Sequence, residues 1–563
     1  MRRSPTRRTN VFRCAALVAA LSIIAAACSS DTDGTSSTTE APTTETSTQP
    51  TETTTVVQDE ESEQSELEGR TVSVYMVYPP PPGFEQIQAL TEEHFTGPTG
   101  IFVEYLQPGK DMAYACRDLF QCEESPPQGV LVVDSYSASV FGNDGRLENL
   151  RPAAESATGY DVDDLIPSVR AANGGRDGET FALPFYAESS FIMFNQQIMD
   201  DNGIDFPANP TWDQIDRIAR QVHTDDVAGI CLRTNTRWDE LGFALTTVVN
   251  TFGGTWWERN DDGTPGIPQI DQDDSGFRAA TEFYIDLLSE AGPDDVQARS
   301  SLSSEECLDQ FVNGDVAIWY DSTASGPLVE ADESPVAGNV GYTLAPTNLT
   351  DASGWLQSYG LAIPTGLIDD LAMWEYVRWA TSPDTSRLIG ETFGWASAPG
   401  TRLSIYDTPE YIDANQQYVD VAREAITTAP IDNPGTSQRP GAAGIQYVGI
   451  ELFPTVAESC LINIEDALWG IRSVDDVLEI CQMSASFLDQ SATVPNVIGL
   501  PISLARMAIE QAGLLTTRTF VDSSGVPTRG NDATPALVIG QNPPASARRA
   551  SGTNVELVLE IIR

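Results

Sequence analysis

The sequence predicts an α/β protein of more than one domain, and three observations carry that expectation. Strand-like apolar runs alternate along the chain with segments of helical periodicity. About 495 of the 563 residues remain once the N-terminal segments are set aside, too many for a single core. The texture then changes at Ala492, where a short Pro/Gly-punctuated module begins.

In chain order, the first element is an export signal. Arg2, Arg3, Arg7, Arg8 and Arg13 precede an apolar run from Ala15 to Ala27 that ends Ala25-Ala26-Ala27-Cys28. A membrane-spanning helix needs about 20 apolar residues, so this shorter run closing on small residues reads as residues 1–27 of a cleaved signal peptide. Small residues directly before a cysteine resemble the bacterial lipobox, which implies a lipidated Cys28 as the new N-terminus, although Ala25 stands where that motif usually has Leu. The alternative is a secreted chain with a free Cys28 thiol. The Arg7-Arg8 pair leaves the export route open. Residues 28–68 are Ser, Thr, Glu, Pro and Gln with almost nothing to bury, a disordered spacer whose coil reach is about 35 Å.

The body, residues 69–490, opens with strands at Thr71–Tyr78 and Gly129–Asp134, the second apolar enough to be covered by helices on both faces. Thr211-Trp-Asp-Gln214 is a capping box that starts a helix. Helical spacing follows in Phe277, Ala280, Phe283, Tyr284, Leu287 and Leu288, and in Leu371, Trp374 and Trp379. Trp319, Trp374 and Trp379 lie in apolar periodic segments and are assigned to the core. Residues 491–563 form the separate small module, with a helix around Ser503–Ala512 and a closing strand at Asn554–Ile561.

Composition excludes several function classes. With 31 basic against 82 acidic residues the formal charge is −51, a field that repels phosphate backbones, so nucleic acid is excluded as a partner. Lys110 is the only lysine. Beyond Cys14 and Cys28 six cysteines remain, Cys116, Cys122, Cys231, Cys307, Cys460 and Cys481, an even number that reads as disulfides in an exported chain. Fifteen connectivities are open; proximity favours Cys116–Cys122, Cys231–Cys307 and Cys460–Cys481. His94 and His223 are the only histidines and no CxxC occurs, so no metal site is expected. Neither a nucleophile elbow, an HExxH, a phosphate loop nor a GxGxxG after a strand is visible, and neither a cofactor nor an enzyme activity is expected.

Six segments carry a resemblance. They are Leu183-Pro-Phe-Tyr-Ala-Glu-Ser-Ser190 with Met193-Phe-Asn195, Gly229-Ile-Cys-Leu-Arg233, Thr246-Thr-Val-Val-Asn-Thr-Phe-Gly-Gly254, Gly314-Asp-Val-Ala-Ile-Trp-Tyr-Asp321, Gly394-Trp-Ala-Ser397 and Gly444-Ile-Gln-Tyr447. In this order they resemble the extracellular solute-binding proteins of ABC importers, in the branch that takes sugar alcohols. The resemblance implies two α/β lobes with a ligand cleft between them, a hinge that closes on the solute, and a permease as partner. Residues Val494–Ile561 resemble a PASTA domain, through Val494-Pro-Asn-Val-Ile-Gly-Leu500, Ala512-Gly-Leu514 and Val538-Ile-Gly-Gln-Asn-Pro-Pro-Ala545, which implies contact with peptidoglycan fragments.

A neutral sugar or sugar alcohol needs carboxylate and amide partners for its hydroxyls and aromatic faces for its CH groups. Asp134 ends a buried strand, where ligands gather in open α/β sheets, and Tyr136 follows it. Glu188 lies in the crossing segment. Arg233 and Trp238 follow Gly229-Ile-Cys, Asn250 is polar in an apolar helical stretch, and Asp321 follows the strand Val316–Tyr320. Trp355, Trp395 and Tyr447 fall in segments that in relatives line the second lobe's face. Simpler roles stand beside these: Asp134 as a helix cap, Arg233 as an ion-pair partner, Asn250 as a satisfied buried amide. The expectation is a lipid-anchored capture protein on the outer face of the cytoplasmic membrane. Its rivals are a wall scaffold or adhesin working through the C-terminal module, and a glycoside-cleaving enzyme.

Overall fold

The computed structural model describes residues 67–562 except 77–79, 107–127, 176–177, 260–264, 273–274, 294–300, 398–399, 431–445, 451–452, 487–490, 513, 524–526, 529, 531–533, 543–547 and 551–553. The export signal, Cys28, the spacer up to residue 66 and the Cys116–Cys122 pair lie outside the described residues.

The strands of the body are β1 (Thr71–Tyr75), β2 (Phe102–Leu106), β3 (Val130–Asp134), β4 (Leu183–Asn195), β5 (Ala228–Cys231), β6 (Trp257–Arg259), β7 (Pro265–Pro268), β8 (Val316–Ser322), β9 (Val340–Leu344) and β10 (Leu356–Ala362). Eight of them form one sheet in the order β2-β1-β3-β10-β4-β8-β5, with β9 also paired to β4, while β6 and β7 make a separate hairpin. The two lobes share this sheet through β4. Its first half pairs antiparallel with β10, up to Ser189 opposite Leu356, and its second half pairs with β8 from Ser190 opposite Ser322. The partner change thus falls at a single peptide bond.

In the first lobe β1, β2 and β3 run parallel and β10 is antiparallel to β3. Val72, Val74, Val130, Val132 and Leu361 pack there against Phe84, Ile87, Tyr376 and Val377 of the flanking helices Phe84–Thr91 and Leu371–Ala380. Burial of these alternating apolar residues, at about 25 cal/mol per Å², is what sets the register of the strands. The second lobe packs helices Trp212–Val222 and Gly276–Ala291 on its share of the sheet, and Leu241–Thr251, Phe453–Leu468 and Val474–Ser486 pack on those helices and on one another. The capping box at Thr211 is formed, its side chain taking the Gln214 N–H while Gln214 returns a bond to the Thr211 backbone, as the sequence indicates. The spacing from Phe277 to Leu288 falls on one helix, Gly276–Ala291, with five of its six marked positions buried. Trp319 is core, and Trp374 and Trp379 are partly buried against the first lobe's core.

Two disulfides lie among the described residues. Cys231–Cys307 ties the end of β5 to the helix Ser304–Val312, and Cys460–Cys481 joins the helices Phe453–Leu468 and Val474–Ser486.

The C-terminal module adds β11 (Ser491–Thr493), β12 (Leu515–Val521), β13 (Pro527–Thr528), β14 (Ala536–Asn542), β15 (Arg548–Ala550) and β16 (Asn554–Ile561). Its sheet runs β13-β12-β16-β14, covered by the helix Ile502–Gln511 over a core of Val497, Ile509, Phe520, Val538, Val555 and Leu557.

Candidate functional site

The site begins with strand register. Tyr359 of β10 stands opposite Asp134 of β3 on one side and Tyr186 of β4 on the other, and Gln357 stands opposite Glu188. Directly opposed residues share a face and so do residues two apart, so Asp134, Tyr359, Tyr186, Gln357 and Glu188 form one polar, aromatic row. The Tyr186 hydroxyl donates to Glu188 Oε2 at 2.5 Å, and the Tyr186 and Tyr359 rings lie 6.2 Å apart. Trp355, just before β10, is fixed at the point where β4 changes partners. Its N–H donates to Ser190 Oγ at 3.0 Å, and its carbonyl accepts from Ser189 Oγ at 2.8 Å.

The segment after β5 supplies the second lobe's contribution. Arg233 forks onto Asp321, with Nε 2.8 Å from Oδ2 and Nη2 2.5 Å from Oδ1, and its Nη1 is 3.2 Å from Glu240 Oε2. Asp321, fully buried, also accepts from Ser304 Oγ and from the Ser322 N–H. Burial pulls the Arg233 pKa down, but the Asp321 and Glu240 charges outweigh it, so the guanidinium is raised and stays charged. It lies 5.0 Å from the Trp355 ring. Arg233 and Asp321 therefore satisfy each other: the ion-pair role is realised, and the pair frames the site by backing Trp355.

An aromatic cluster joins the lobes. The Tyr136 ring, in the first turn of Ser135–Asn143, is 5.1 Å from Trp238 and 5.3 Å from Tyr447, and its hydroxyl donates to the Ile450 carbonyl at 2.7 Å. Tyr447 is positioned by its neighbour: the Gln446 amide donates to the Leu356 carbonyl at 2.6 Å and accepts the Leu356 N–H at 3.3 Å.

Charge is concentrated on the row. Asp134 caps its helix, accepting the Ser137 N–H at 2.7 Å, and burial raises its pKa, with the Asp239 charge adding to the rise. Burial also raises Glu188, against the Tyr186 hydrogen bond and the Arg233 charge. Tyr359 is raised by burial first and then by the negative charges of Asp134, Asp239 and Glu188. Such a surface offers acceptors to hydroxyl groups and ring faces to CH groups, and it disfavours an anion.

The structure places two expected residues elsewhere. Trp395 is half-buried beside Gly390 and packs with Ile166, Val169 and Ile405, away from the second lobe's face where the resemblance puts it; the helix Pro383–Phe393 that precedes it packs on the first lobe. Asn250 lies buried in the last turn of Leu241–Thr251, where its carbonyl accepts from Thr350 Oγ1 at 2.8 Å. Tyr186, Gln357 and Tyr359 are members that sequence reading missed. Gln357 and Tyr359, two apart after Trp355, carry a signal that becomes readable once 356–362 is recognised as a strand. Among the described residues no group of three or more His, Cys, Asp or Glu side chains could hold a metal, and no helix is long and apolar enough to cross a membrane.

Comparison with known proteins agrees with this geometry. Residues 86–386 match the family described as bacterial extracellular solute-binding protein, and residues 492–560 match the PASTA domain. A mannitol-binding protein of Pseudomonas aeruginosa is 31% identical over 362 residues, 63% of this chain and 79% of the relative. The crystal structure of an ABC transporter solute-binding protein from Agrobacterium vitis with bound D-mannitol superimposes with a TM-score of 0.63 at 30% identity, covering 74% of this chain and 97% of that one. A ribitol complex from Agrobacterium radiobacter shares the fold at TM-score 0.60 and 17% identity, over 74% of this chain and 98% of that one. Two lobes joined through β4, the polar row where they meet and these matches lead to one conclusion: the chain belongs to the bacterial extracellular solute-binding proteins and carries a C-terminal PASTA domain.

Proposed function

We propose that this protein is the capture component of an ABC importer for a sugar alcohol, held on the outer face of the cytoplasmic membrane by lipid on Cys28 and performing no chemistry on its solute. The observation that carries the reading is the row Asp134–Tyr359–Tyr186 with Glu188 and Gln357; the aromatics Tyr136, Trp238, Tyr447 and Trp355 pack where the two lobes meet. A linear polyol presents hydroxyls along its length, which suits a line of acceptors better than a single charged pocket. The D-mannitol in the Agrobacterium vitis structure and the name of the Pseudomonas relative support the same class. Arg233 and Asp321 hold the frame in this reading, while Glu188 and Asp134 meet hydroxyls. The body, residues 69–490, is the part that binds and docks on permease subunits; the module, residues 491–563, is the part that would meet peptidoglycan.

The test is titration of the purified chain with D-mannitol, sorbitol, ribitol and maltose, followed by calorimetry and thermal shift. A polyol that binds stabilises the protein by RT ln(1 + [L]/Kd), about 2.7 kcal/mol at a hundredfold excess over Kd, and is recovered unchanged. Silence towards every polyol, or turnover of one, would sink the reading. Replacement of Cys28 by alanine releases the protein from membranes if the anchor is as proposed; retention of the variant would show another tether.

A further inference from the structure

The helix Phe453–Leu468 is buried on all sides. Cys460, Leu461 and Ile464 belong to the second lobe's core, while Glu465 and Asp466, both buried, meet the C-terminal module. From the module's own helix, Arg506 places Nη1 3.0 Å from Asp466 Oδ2 and Nη2 2.5 Å from Asn463 Oδ1. From β12, Arg518 pairs with Glu465 and lies 5.7 Å from the Phe520 ring. Arg472 completes the set, with Nε 3.0 Å from Asp466 Oδ2. Charge partition matches this contact. Residues 491–563 hold six arginines and five acids, whereas the first 490 residues hold 25 basic and 77 acidic side chains.

We propose that the PASTA domain is a permanently docked third body of the second lobe, and that this lobe depends on it. Glu465 and Asp466 lie in a face made for arginine, and carboxylates buried without partners are strongly unfavourable. Two of their three arginine partners come from the module. A bead on a flexible tether would leave those arginines in water, Glu465 without a counter-charge and Asp466 with Arg472 alone. The dock fixes a polarity in the molecule: whatever grips the PASTA domain grips the second lobe, and the first lobe is the half that moves relative to it.

The test uses the full chain with Arg518→Ala, Arg506→Ala and the exchanged pair Glu465→Arg with Arg518→Glu, read by hydrogen exchange of the 453–468 amides and by calorimetry. In the unaltered protein the second lobe and the module melt in one transition. Each single alanine variant is expected to speed exchange across 453–468 at least tenfold and to split off the module's melting, and the exchanged pair to recover most of the protection. If either alanine variant does not fold, the milder Asn463→Ala, which removes one hydrogen bond to Arg506, is expected to speed exchange severalfold. Unaltered exchange and melting in the alanine variants, or effects in them with no recovery in the exchanged pair, would overturn the proposal.

Discussion

Two junctions in this molecule gather buried carboxylates, and they treat them in opposite ways. Where the module meets the second lobe, each carboxylate has a guanidinium: Glu465 has Arg518, and Asp466 has Arg506 and Arg472. Where the two lobes meet, Asp134 and Glu188 face tyrosines and a helix N-terminus, while the one buried cation nearby, Arg233, is already committed to Asp321 and Glu240. The first junction gives each carboxylate a cation from within the chain, and the second keeps acceptor capacity in hand. Buried acidity alone does not mark a binding site; acidity without its own cation does.

The largest effect is expected at Arg233. Arg233→Ala leaves Asp321 buried with no counter-charge, and the expected loss is about 3–5 kcal/mol of unfolding free energy in denaturant titration; a loss below about 1 kcal/mol, the range of exposed pairs, would remove the pair from the frame. Glu188→Ala should weaken D-mannitol binding by about 1–3 kcal/mol in calorimetric titration while leaving the melting temperature in place. Tyr359→Phe removes only the hydroxyl of a residue in the row, opposite Asp134 and Tyr186, and about 0.5–1.5 kcal/mol of affinity should go with it. The pH profile sharpens the other junction. Burial pushes Glu465 up to about 7, despite Arg518 and Arg506 and with Asp466 adding to the rise. A carboxyl raised on folding gives stability that is full below its unfolded pKa, about 4.3, and is lost as pH climbs through about 7. Stability should therefore fall between pH 5 and 8, and Glu465→Gln should flatten that fall; an unchanged slope would remove Glu465 as its source. The smallest effect is expected at Asn250, where alanine should alter D-mannitol affinity less than twofold.

Much of the architecture was legible in the sequence because local chemistry agrees with the global fold. The capping box at Thr211, the apolar run ending at Asp134 and the spacing from Phe277 to Leu288 each name an element that forms. Within the candidate site, Asp134, Tyr136, Glu188, Trp238, Trp355 and Tyr447 converge, and Arg233 and Asp321 pair beside them. Tyr186, Gln357 and Tyr359 escaped because they qualify only through register: nothing local shows that β10 will lie between β3 and β4. Trp395 misled for the converse reason, since a tryptophan after glycine looks available until Gly390 is found against its ring. The docking arginines were invisible too, because Arg506 and Arg518 look like solvent-facing residues of a self-contained module.

The sheet order also dictates how the protein must be made. β10 closes the first lobe by pairing with β3, more than 220 residues earlier, and the whole run from β5 to β9 is built in between. The N-terminal lobe therefore cannot complete its sheet until β10, the last strand of the body, has been synthesised. Pairings of such long sequence separation form slowly, after a large loop-closure entropy has been met. Until Ala362 has emerged, the edge of β3 that β10 covers stays unpaired, and such an edge needs protection from aggregation.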